Sequence, residues 1–177
     1  MGSPQTLSEA YRRAVALWAA DCAERVLPLF EAEAPSDGRP ADAIARARAF
    51  GRGELDAAGQ IRQRFVAGRA AGAVAGPAAV ASARSAAQAS GVAHMGAHAL
   101  GAAAYAAKAA GLASGDDAAD AEISWQLAHM TEPVRTALRQ LPLLGEDASG
   151  PLGSGLLASG VLGSIIRKLQ TGLVAPD

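Results

Sequence analysis

Cysteine, lysine and aromatic side chains are all scarce in this chain of 177 residues. A single cysteine, Cys22, excludes an intrachain disulfide. Lys108 and Lys168 are the only lysines, and 16 basic residues face 17 acidic ones, a net charge of −1. That balance leaves no field to draw nucleic acid or an anionic membrane. Aromatics make up 4% of the sequence, which argues against a β-sandwich, whose strands favour aromatic and β-branched side chains. Neither GxSxG nor GxxxxGK[ST] occurs, so the motifs of a serine nucleophile elbow and a Walker-type phosphate loop are missing. No nucleophile, base and oxyanion donor can be assigned from spacing, and no catalytic residue is predicted.

What the chain has is alanine, 46 residues, and glycine, 20. Half of the sequence is hydrophobic, too much apolar surface for a disordered chain of so little charge. Alanine is the best helix former and loses no side-chain entropy on folding. The composition predicts an all-α fold, a compact Ala/Gly-rich bundle of about six to eight helices. No polar linker divides it, so residues 1–177 read as one domain.

Punctuation places the helices. Thr6 and Glu9 fit a capping box opening a helix that runs to about Glu33. Pro40 opens a second to Arg52, Leu55 to Ala75 reads as a third, and Pro77 opens a fourth that weakens at Ser90 and Gly91. A fifth covers Val92 to Leu112, and a sixth begins at Asp116, whose carboxylate meets the positive end of the dipole. Thr131 caps a short helix, and Gly155 to Gln170 is the last. Gly68, Gly72 and Gly76 fall on one face of the third helix, a spacing that lets backbones approach closely. Between Ala148 and Ile166 no residue is charged, but Pro151 and five glycines make a buried helix a better reading than a membrane span. The N-terminus MGSPQTLSEA has no charged segment followed by an apolar run, so no secretory signal is expected and a cytoplasmic location is.

Against methyl-lined faces the few polar residues stand out. On the first helix Tyr11, Val15, Trp18, Cys22 and Leu29 share an arc that also holds Arg25, with Asp21 at its edge. Arginine on an apolar stripe needs a carboxylate, so Asp21 or another acid should neutralise it. The pair would either fix helix register or form a polar pocket for a charged group. His94 and His98 at i,i+4 share a face continued by Gly101 and Tyr105, with Lys108 alongside. They could bond internally, line a polar pocket, or, with His129, bind a divalent metal. No cofactor is expected beyond that metal option. Arg46, Arg48, Arg52, Arg62, Arg64 and Arg69 form the most basic stretch, but Glu54 and Asp56 interrupt it and it reads as solvated helix faces.

The stretch WAADCAERVLPLFE (Trp18 to Glu31), followed by Asp37, Gly38, Arg39 and Pro40, resembles bacterial, chiefly actinobacterial, immunity proteins with an Imm-5-like domain. The run AHMGAHALGAAAYAAKA (Ala93 to Ala109) and the tail LPLLGEDASGPLGSGLLASGVLG are similar to the same group. The SbcC-type exonuclease label often given to its members does not fit a chain this short without a phosphate-binding loop. The resemblance implies a small helical protein that neutralises a toxin or other partner in bacterial conflict. It also implies that Asp21, Glu24, Arg25, Asp37, Arg39, His94 and His98 converge in space. A second reading is a small-molecule protein, an enzyme or a resistance or sequestration factor from a biosynthetic cluster. That reading requires a pocket lined by Asp21, Arg25, His94, His98 and Tyr105. The glycine face and the uncharged last helix also permit a homo-oligomer.

Overall fold

Proline and glycine mark many of the chain's turns, although Pro28 and Gly101 lie inside helices. In a computed structural model, which describes residues 2–63 and 65–174 (61 and 62 by backbone alone), no strand forms among the described residues. The helices are α1 (Glu9–Glu31), α2 (Arg39–Gly51), α3 (Ala57–Gln63), α4 (Val66–Ala70), α5 (Pro77–Gly91), α6 (His98–Ser114), α7 (Asp116–Ala128), α8 (Glu132–Arg139) and α9 (Gly160–Val174). Two 3₁₀ turns, Ala71–Ala73 and Leu156–Ala158, follow α4 and precede α9. The all-α expectation holds. Pro40, Pro77 and Pro133 each lie in a first turn, where the missing N–H costs nothing. Gly115, at φ 94°, lets α6 reverse directly into α7.

Four boundaries differ from the sequence reading. Ser8, not Thr6, caps α1: its hydroxyl accepts from Tyr11 N–H at 3.2 Å, and Leu7 at φ 63° turns the chain just before it. The third predicted helix breaks into α3, α4 and a 3₁₀ turn. Gly68, Gly72 and Gly76 therefore share no helix face, and Gly72 meets open space. The fifth helix begins at His98, because the amides of Gly96 and Ala97 bond instead to the carbonyls of Thr6 and Gln5. The last helix starts at Gly160 after its 3₁₀ turn. Of the basic stretch, the side chains of Arg62 and Arg64 lie outside the described residues.

Helix α6 occupies the centre, packed against α1, α5, α7 and α9. Its alanines at 99, 102, 103, 104, 106, 107 and 109 are buried all round, the pattern of a helix enclosed by others. Small side chains bring neighbouring backbones close enough for cross-helix bonds to main-chain carbonyls. Ser85 Oγ donates to Ala102 O (2.7 Å), Gln126 Nε2 to Ala103 O (3.0 Å) and Ser82 Oγ to Val26 O (2.8 Å). Bulk comes from a few larger buried side chains, among them Trp18, Phe50, Leu100, Leu138, Leu152 and Ile166. No helix among the described residues is long and apolar enough to cross a membrane.

Candidate functional site

A groove runs between α5 and α6, and its polar residues repeat at helical spacing on both walls. Arg84, Gln88 and Gly91 face it from α5, and His98, Tyr105, Lys108 and Leu112 from α6. Two adjoining hollows of about 430 and 590 Å³ share Arg84, Tyr105 and Leu156. His94 lines the first from the turn ahead of α6, and Lys108 the second. His94 is thus not on the helix of His98, as the i,i+4 spacing suggested, yet both reach the same hollow. His98 Nδ1 bonds Gln88 Oε1 at 2.8 Å. Gly101 makes room for that amide, since a Cβ there would sit 2.9 Å from Gln88 Cδ. Burial pushes the Tyr105 phenol above its ordinary value of 10.0, opposed in part by the charge and hydrogen bond of Arg84. Phe65, Leu112 and Leu156 stand exposed around the groove, Phe65 and Leu156 by 61% and 64%. Among the described residues no aspartate or glutamate lines either hollow.

The remaining predicted residues assemble elsewhere, in three separate groups. Asp21 does not pair with Arg25. Arg48, reaching across from α2, binds Asp21 Oδ1 at 2.7 Å and grips Glu24 through both Nη1 (2.7 Å) and Nη2 (2.6 Å). Those bonds hold the Glu24 carboxyl below its ordinary value of 4.5. Arg25 finds another acid, as an arginine on an apolar stripe must: its Nε lies 2.9 Å from both carboxylate oxygens of buried Glu122 on α7. Its guanidinium also lies 4.0 Å over the Trp125 ring. Cys22 sits beneath this pair, its thiol pushed far up by burial and by Glu122, which suits packing rather than nucleophilic chemistry. Asp37 and Arg39 clasp each other at the start of α2, Nε to Oδ1 at 2.8 Å and Nη2 to Oδ2 at 2.5 Å. His129 stacks on Trp125, ring centroids 4.1 Å apart. Among the described residues no three His, Cys, Asp or Glu side chains form a metal-binding group.

Sequence reasoning passed over Arg84, Gln88, Phe65 and Leu156. Arg84 and Gln88 carried a usable signal, as the largest polar residues of PAAVASARSAAQASG and one helical turn apart. Phe65 and Leu156 gave none, because only the fold brings them to the groove.

The fold and site define an all-α bundle with a cationic, apolar-rimmed groove beside its central helix. The family model described as Imm-5 like putative immunity protein matches residues 5–133, and the chain belongs to that family. The match takes in both groove walls, while Leu156 and Leu162 come from beyond it. Neither a curated protein nor a solved structure gives a match.

Proposed function

We propose that this immunity-family chain neutralises a protein toxin by seating an acidic segment of it in the groove between α5 and α6. The composition of the groove carries the reading. Arg84 and Lys108 line it, and no aspartate or glutamate among the described residues lines either hollow. Exposed Phe65, Leu112 and Leu156 offer apolar area for side chains flanking the acid. Charge of this kind orients the partner and speeds encounter, while apolar contact and exclusion of water supply affinity. Binding should therefore weaken as salt rises.

Expression of each open reading frame flanking the gene, one at a time, tests the proposal. One product should arrest growth, the chain should restore growth on co-expression, and the two should co-purify. The double variant Arg84→Glu/Lys108→Glu should lose rescue and co-purification while keeping its helical circular dichroism. Unchanged rescue by that variant removes the groove from the interface. If no flanking product arrests growth, toxin neutralisation is refuted.

A further inference from the structure

Buried glutamines in this chain act as staples to the backbone, with one exception. Gln5 binds Leu152 N–H, Gln126 binds Ala103 O through Nε2 while its own Oε1 is left unbonded, and Gln170 binds both Leu144 N–H and Pro142 O. Gln60 is 1% exposed, yet neither its Nε2 nor its Oε1 has a hydrogen-bond partner among the described residues. Buried amides are nearly always bonded, and an unbonded one carries the full desolvation penalty of its polar atoms. Gln60 also stands in the wall of a cleft of about 320 Å³, together with Arg39, Asp42, Arg46, Gln63 and Ser90. Arg46 Nε, in the same wall, is likewise buried without a partner. This cleft shares no lining residue with the groove between α5 and α6, and its role does not rest on that groove.

We infer that this cleft between α2, α3 and α5 binds a small zwitterion of the α-amino acid class. The unmet donors, Arg46 Nε–H and the Gln60 amide N–H, call for a carboxylate. The unmet acceptor, Gln60 Oε1, calls for an N–H donor, and Asp42 supplies a carboxylate for its positive charge. Asp42 forms no ion pair among the described residues. The volume lies at the lower end of the range for small-molecule sites, about 300–1,000 Å³, and far above the ~30 Å³ of one water.

Titration calorimetry and thermal shift with each of the twenty amino acids, with succinate and methylamine as controls that carry charge of one sign only, test the site. At least one amino acid should bind the full chain while neither control does. Arg46→Met and Gln60→Leu should each weaken that binding roughly tenfold or more, the factor for losing one buried hydrogen bond to a charged group. Asp42→Asn should weaken it and erase the preference over succinate. Gln60→Glu, which keeps the side-chain size, should abolish carboxylate binding by repulsion and covers a Gln60→Leu chain that fails to fold. Failure of every amino acid to bind overturns the inference, as does binding unchanged in both Arg46→Met and Gln60→Glu.

Discussion

Replacing Arg25 by methionine isolates the cost of leaving Glu122 alone. Glu122 is 5% exposed and its carboxylate is met by Arg25 Nε at 2.9 Å. Removing one partner of a fully buried pair costs about 3–5 kcal/mol, because the other charge stays desolvated. The Arg25 side chain is 39% exposed, so water screens part of the interaction. Methionine keeps the aliphatic stem over Trp125 but loses the cation–π contact, worth about 0.5–1 kcal/mol at such a site. Discounting the burial cost by rather more than half for that screening and adding the lost cation–π contact leaves a loss of about 2–3 kcal/mol. With a urea m-value of about 2 kcal/mol/M the unfolding midpoint should fall by roughly 1–1.5 M, followed by tryptophan fluorescence. Arg25→Met/Glu122→Gln should recover at least half of the loss, since no charge then remains buried. A single variant within about 0.5 kcal/mol of the parent, or a double variant no better than the single, would refute a paired, buried Glu122.

Two further measurements probe packing and charge. Gly163→Ala would place a Cβ 2.7 Å from Ala158 C and against that carbonyl's oxygen, backbone that cannot rotate away. Its melting temperature should drop by roughly 4–8 °C, whereas Gly72→Ala, with nothing within 4 Å, should melt like the parent. The Glu24 carboxyl is lowered by Arg48, so its contribution is complete above 4.5 and fades as pH falls through the folded value. Carbon-detected titration should give Glu24 a midpoint below 4.5 that returns toward 4.5 in Arg48→Met.

Helix class and most boundaries were legible because proline, glycine and Asp116 act locally, through a fixed φ, a missing Cβ or a charge at a helix end. Failures came where a distant residue decided the outcome. The turn holding His94 exists because Gly96 and Ala97 donate to carbonyls some 90 residues earlier, a competition absent from local periodicity. Periodicity likewise placed Arg25 on an apolar stripe and demanded an acid, but could not choose Glu122 on α7 over Asp21 one turn away. Asp21 is exposed and close to Arg48, so the nearer pairing lost to the tertiary one. Arg46 was grouped with solvated arginines because neighbours in sequence shared its charge. The burial of its Nε in the cleft wall with Gln60 depends on how α3 packs on α2, which no spacing encodes.

The bond from Gln5 to Leu152 links the first turns of the chain to the loop ahead of α9, and Gln5 Nε2 also reaches Ser149 O and Asp147. The family match begins at residue 5 and ends at 133, so its first residue is fastened to a segment outside it. This seam closes a loop of 147 residues, and the entropy of closing a loop grows only slowly with its length. The N-terminal segment also supplies the carbonyls that shape the His94 turn. Opening at the seam would therefore loosen one wall of the groove between α5 and α6, coupling the loop ahead of α9 to that wall.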